Sequence, residues 1–145
     1  MDYTYVKKYI DSQPKKVVTI NWSTMKLEYN DIVQCQSRTD ATPEELTRAV
    51  LITRLVNEYG YKPERIEIKR EYTSGRPHTQ TSRIDVIVRD SKNDAFLFIE
   101  VKNPSEYASI DKDETIKEQL FKVSAEKLLK EEKLNIFFIY NKRCY

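Results

Sequence analysis

Arg83-Ile84-Asp85-Val86-Ile87-Val88 and Ala95-Phe96-Leu97-Phe98-Ile99-Glu100-Val101-Lys102, joined by the turn-forming run Asp90-Ser91-Lys92-Asn93-Asp94, decide the fold of this chain. Both runs have strand character, and the short polar connection predicts an antiparallel hairpin. The second run is apolar on both faces, which predicts a central strand covered on both sides by helices. With the turn centred between Lys92 and Asn93, residues whose numbers total 185 stand opposite one another, so Asp85 faces Glu100. Cross-strand partners lie about 5 Å apart. Lys102 shares the Glu100 face, because strand side chains repeat every second residue. Two carboxylates at that separation repel by roughly 3 kcal/mol at an effective dielectric near 20. One ammonium group does not neutralise both. A divalent cation does, and hard oxygen ligands with retained waters suit Mg²⁺, with Mn²⁺ as a substitute. Such a cation beside an ammonium group suits phosphodiester hydrolysis. The alternative is a strand-end ion pair in which the second carboxylate is held elsewhere, for instance by Arg83.

Outward from the hairpin, Thr42-Pro43-Glu44-Glu45 is a helix start, with Thr at the N-cap, Pro at the first helical position and Glu at the third. The helix is predicted over 42–59 and stops at Gly60. Ile66 and Ile68 alternate with Glu67 and Lys69 and predict a half-buried strand. A polar loop over 72–82 precedes the hairpin; a helix over 114–131 and a buried strand over 135–140 follow it. The order is αβββαβ, an α/β core with a mixed four-stranded sheet flanked by helices. Residues 1–41 read as an N-terminal extension to a core over 42–145, with a short helix over 3–11 and a strand at 17–20.

Composition narrows the chemistry. The 145 residues fit one domain, and a net charge of +2 does not by itself argue for nucleic acid. His78 is the only histidine, and Cys35 and Cys144 stand apart. These counts exclude a zinc finger, a disulfide scaffold and any Ser-His or Cys-His mechanism not built on His78. No apolar run approaches the roughly 18 residues of a membrane span, and the start does not read as a signal peptide. A soluble, cytoplasmic protein with no membrane partner is expected.

Spacing alone is weak evidence. Glu-x-Lys also occurs at Glu67/Lys69 and Glu131/Lys133, where both pairs read as solvated charges. Glu45 adds independent weight, because it falls on the stripe of Ala49, Ile52 and Val56. Two readings of it stay open: a capping-box bond back to the Thr42 amide, or a reach into the site.

Glu45, then Asp85, then Glu100-Val101-Lys102 in an αβββαβ order resembles the PD-(D/E)XK nuclease superfamily, and Thr-Pro-Glu-Glu-Leu-Thr-Arg (42–48), Glu-Tyr-Gly-Tyr (58–61), Arg-Ile-Asp-Val-Ile-Val (83–88) and Glu-Val-Lys-Asn-Pro (100–104) narrow the resemblance. Within it they are most similar to the N-terminal nuclease domain of type I restriction enzyme R subunits. The resemblance covers about residues 42–141. It implies a restriction-endonuclease-like fold and a Mg²⁺-dependent endonuclease of a restriction–modification system acting on foreign double-stranded DNA. Asp85 and Glu100 would be metal ligands, Lys102 the catalytic lysine and Glu45 an auxiliary acid. Ile84 stands where the superfamily name has Pro. The Gln-x-x-x-Tyr motif common on the following helix is incomplete, with Gln119 present but Val123 in the Tyr position. Gln119 also reads as a border residue beside a solvated stripe of Lys122, Glu126 and Lys130.

Lys69, Arg70, Arg76 and Arg83 against Glu71 make the 69–83 segment basic, suited to a phosphate backbone or to an ordinary polar loop. No Gly-x-x-x-x-Gly-Lys-[Ser/Thr] occurs, so ATP is expected only through a motor outside this chain, among the other domains or subunits of a restriction complex. Two readings compete with the nuclease: a non-catalytic DNA-binding or assembly module on the same fold, and a repair or junction nuclease differing only in substrate. From the hairpin alone, Asp85→Asn is expected to leave metal-free stability unchanged or raised, since it removes one of two repelling charges.

Overall fold

The computed structural model describes residues 3–34, 39–74, 80–102 and 136–140. Helix α2 (Pro43–Asn57) begins as its sequence predicts: the Thr42 hydroxyl accepts from the Glu45 amide at 3.2 Å, and Pro43 opens the first turn. It ends where Gly60 takes φ +73° and the Tyr61 amide reaches back to the Leu55 carbonyl at 3.0 Å. That closing bond satisfies a carbonyl the helix would otherwise leave open.

α2 is enclosed on nearly every side. Leu46, Ala49, Val50, Leu51, Ile52, Leu55 and Val56 are all buried, and so are Thr47 and Thr53. A helix apolar on only one face would leave the other to water, so two layers must cover it. One layer is a five-stranded sheet in the order β3-β5-β6-β7-β8. Its strands are β3 (Val33–Gln34), β5 (Ile66–Ser74), β6 (Gln80–Arg89), β7 (Ala95–Val101) and β8 (Ile136–Tyr140). β5, β6 and β7 pair antiparallel, while β3 on β5 and β8 on β7 are parallel. The sheet is mixed, with one strand more than the expected four. The addition, β3, is only two residues long and carries no periodicity for a sequence reading to detect.

The second layer comes from the N-terminal segment. Helix α1 (Thr4–Ser12) buries Val6 and Ile10, and the small antiparallel sheet of β1 (Val18–Asn21), β2 (Lys26–Tyr29) and β4 (Thr39–Asp40) contributes Val18, Leu27 and Tyr29. These residues form one apolar cluster with α2 and with Ile66, Ile68, Val86, Val88, Ile99 and Val101 of the large sheet. A second cluster, Ile84, Ile87, Ala95 and Phe98, is separate from it.

The β6–β7 hairpin keeps the counted register: Val86 faces Ile99, Ile87 faces Phe98 and Val88 faces Leu97, with a bulge at Val88/Arg89. The turn is built by Asp90, whose Oδ1 accepts from the amides of Lys92 (2.8 Å) and Asp94 (3.0 Å), and by Asn93 at φ +70°. Both are standard uses of Asp and Asn in turns. β7 lies between β6 and β8, the central position its two apolar faces require. The predicted helix over 114–131 lies outside the described residues, and among the described residues no helix is long and apolar enough to cross a membrane.

Candidate functional site

At the level of Asp85 the sheet stops being regular on both sides. β5 pairs Ile68 with Val86 and Arg70 with Ile84 but skips Lys69, whose φ is +54°. A left-handed backbone costs a non-glycine residue roughly 1–2 kcal/mol, so the position is strained. On the other side the β6–β7 ladder runs no further than Val86 and Ile99. Ile84 packs with Ile87, although strict alternation puts residues three apart on opposite faces. β6 nevertheless runs unbroken through Asp85. Its carboxylate bridges to β7 instead of the backbone: Oδ2 accepts from the Val101 amide at 2.9 Å.

The other oxygen is held by a residue that strand arithmetic does not reach. Arg48, on the first turns of α2 and 0% exposed, donates from Nη2 to Asp85 Oδ1 at 2.8 Å and to Glu44 Oε1 at 2.9 Å. Its Nη1 donates to Glu45 Oε2. Burial, the largest single influence on Arg48, works to lower its pKa, but Asp85 and Glu45 lead a set of neighbours that outweigh it and leave it above the ordinary value. Arg48 stays charged.

Glu45 does not complete a capping box. The Thr42 amide donates to the Asp40 carbonyl at 2.8 Å, and the Glu45 side chain turns inward. Its Oε1 accepts from the Tyr29 hydroxyl at 2.7 Å, and its Oε2 from Arg48 and from Lys69 Nζ at 2.8 Å. The Tyr29 phenol is pushed well above its usual range, first by burial and then by the Glu45 charge.

Glu100 and Lys102 form the second half of the site. Lys102 Nζ donates to Glu100 Oε1 at 2.7 Å, and both side chains are largely enclosed. Burial first and the Asp85 charge second push Glu100 up to about 7, against the lowering influence of Lys102 and Arg48. The Asp85 charge is thus felt at Glu100. Asp85 itself is paired with Arg48 at 2.8 Å.

A testable consequence follows for metal-free stability. The unfolded chain releases the Glu100 proton near pH 4.5 and the folded chain only near pH 7, so stability present below pH 4.5 is lost as the pH rises through 7. The whole shift amounts to about 3 kcal/mol. Glu100→Gln is expected to match the wild type near pH 4 and to exceed it by about 2–3 kcal/mol at pH 8. Denaturant melts at both values measure it, and parallel pH profiles for the two proteins would refute it.

The basic residues proposed for DNA contact are distributed differently. Lys69 is turned into the Glu45 cluster, with its side chain 13% exposed. Glu67 pairs with Arg89 through two hydrogen bonds of 2.8 and 3.2 Å. Glu67 and Lys69 are therefore not the solvated charges their alternation with Ile66 and Ile68 suggests, because Arg89 of the neighbouring strand holds the first and Glu45 of α2 the second. Arg70 and Arg83 lie on β5 and β6, paired with Ile84 and Glu71, but their side chains, like Arg76, His78 and Gln119, lie outside the described residues.

Among the described residues no three His, Cys, Asp or Glu side chains come together as a metal cluster. The donor set that fits a hard cation is the Asp85/Glu100 pair: two carboxylates, one of them raised first by burial and then by the other's charge, the second of which a divalent ion would offset. Arg48 and Tyr29 complete the site, and sequence reasoning missed both. Arg48 had a usable signal, since it sits three and four residues after two Glu on a helix otherwise apolar around it. Tyr29 had none.

Residues 43–141, more than half of the chain, match the family model for the type I restriction enzyme R protein N terminus. No curated protein matches the chain significantly.

Proposed function

Because the chain belongs to the family of type I restriction enzyme R protein N termini, we propose that it is the Mg²⁺-dependent, PD-(D/E)XK-type endonuclease domain of a cytoplasmic restriction–modification system. On this reading it cuts foreign double-stranded DNA within a complex of other domains or subunits. The observation that carries the proposal is the placement of Asp85 and Glu100 just beyond the end of the hairpin ladder, with Asp85 bound to the Val101 amide next to Glu100 and Lys102 bound to Glu100 at 2.7 Å. Asp85 and Glu100 would hold the cation. Bound there, Mg²⁺ would supply Lewis acidity toward a phosphodiester and activate water for attack. The chain's own residues do the rest. The Val101 amide and Arg48 hold both Asp85 oxygens in one orientation. Lys102 Nζ presents a proton and a positive charge beside Glu100, where charge develops on the phosphate in the transition state.

One observation favours a non-cleaving module on the same fold: both Asp85 oxygens already have partners within the chain. A metal titration separates the two readings. Mg²⁺ or Mn²⁺ at 100 times its dissociation constant is expected to stabilise the wild type by about 2.7 kcal/mol, several degrees of melting temperature for a domain of this size. Glu100→Gln should lose most of that response. A wild type indifferent to either metal would leave the module reading in place.

A further inference from the structure

The charges behind Asp85 exceed what the proposed chemistry uses. Arg48 is fully enclosed, its Nε is buried without a partner, and its guanidinium spans three carboxylates. Glu45, 3% exposed, receives three donors from three elements: Tyr29 on β2, Arg48 on α2 and Lys69 on β5. Both of its oxygens thus already accept from side chains of the chain itself. We propose that Arg48 is a positioning residue that fixes the Asp85 carboxylate and sets how tightly it takes a divalent cation, and that Glu45, braced by Tyr29 and Lys69, acts by neutralising Arg48 and not by ligating the ion.

The proposal rests on the metal reading above and deepens it. A guanidinium presents its donors in a rigid plane. With Nη2 on Oδ1 and the Val101 amide on Oδ2, the Asp85 side chain is held from two elements at once. The same guanidinium puts a positive charge next to a ligand for a dication, which weakens metal binding unless an anion cancels it. Glu45 is that anion. Tyr29, which anchors it, precedes the residues that match the family, so the N-terminal segment completes the site.

The sign of the charge left behind provides the test. Mn²⁺ is titrated calorimetrically into the full chain, the wild type and its variants. Glu45→Gln leaves only the half-exposed Glu44 besides Asp85 to balance Arg48 and is expected to weaken Mn²⁺ binding at least tenfold; Arg48→Met should tighten it by a similar factor. The double variant removes both charges and should return to within about threefold of the wild type. General loosening of the core would weaken all three variants, and a ligating Glu45 would leave the double variant as weak as Glu45→Gln; either result overturns the proposal. Where a charge variant fails to fold, Tyr29→Phe keeps every charge and removes one hydrogen bond. It should bind Mn²⁺ within threefold of the wild type, and a tenfold loss would mean that the phenol orients a metal ligand. A wild type that binds no Mn²⁺ overturns the metal reading itself, and the positioning role with it.

Discussion

Under the proposed nuclease function, cleavage of duplex DNA by the full restriction complex is expected to fall about 10²–10³-fold or more in Lys102→Ala, the range seen when one donor that stabilises transition-state charge is removed. Lys102 is anchored on Glu100 at 2.7 Å, yet its side chain remains 17% exposed, so it is positioned without being closed off from solvent. The fold should survive the substitution. Lys102 lowers Glu100, so its loss lets Glu100 keep its proton more firmly and leaves no new buried charge. Affinity for DNA should change little, because one lysine among many phosphate contacts shifts the salt-dependent term by about one unit of slope at most. Single-turnover cleavage at saturating Mg²⁺, with binding measured in Ca²⁺, separates the two effects. A variant that cleaves at the wild-type rate would remove Lys102 from the mechanism.

Asp85→Asn is expected to destabilise the metal-free chain by about 3–5 kcal/mol, the cost of breaking a buried ion pair from one side. The hairpin alone suggests the opposite sign, since it shows two acids facing each other and nothing else. The structure adds Arg48, fully buried and paired to Asp85 at 2.8 Å. An asparagine fits neither way round: with its oxygen toward Arg48, its amino group meets the Val101 N–H, and the flipped amide meets the guanidinium instead. The loss should appear as a drop in melting temperature of roughly ten degrees. An unchanged or raised melting temperature would show that Arg48 does not depend on Asp85. Glu100→Gln, one strand away, should move stability upward at pH 8, so the two carboxylates of one site respond in opposite directions.

Features that depend on near neighbours along the chain were legible from residues alone. Thr42 and Pro43 start α2, Gly60 closes it, and Asp90 with Asn93 forms the turn. The register follows from that turn, because a hairpin's pairing is set once its loop is placed. Asp85 and Glu100 were found by counting outward from it. α1 and β1 were visible as short segments, but their place in the core was not. Val6, Ile10, Leu27 and Tyr29 are spread among polar neighbours, and only the bare back of α2 gives them a surface to cover.

The amino-acid sequence by itself determined the α/β class and the hairpin register, because each is a matter of periodicity or of a few bonds within a short span. Only the tertiary structure decided which of the two carboxylates pairs with a guanidinium. That depends on where α2 lies across the sheet, bringing Arg48 to Asp85 from 37 residues away and Tyr29 to Glu45 from 16. Electrostatic energy in a core falls with distance and rises with burial, and neither quantity is written in the spacing of residues along a chain.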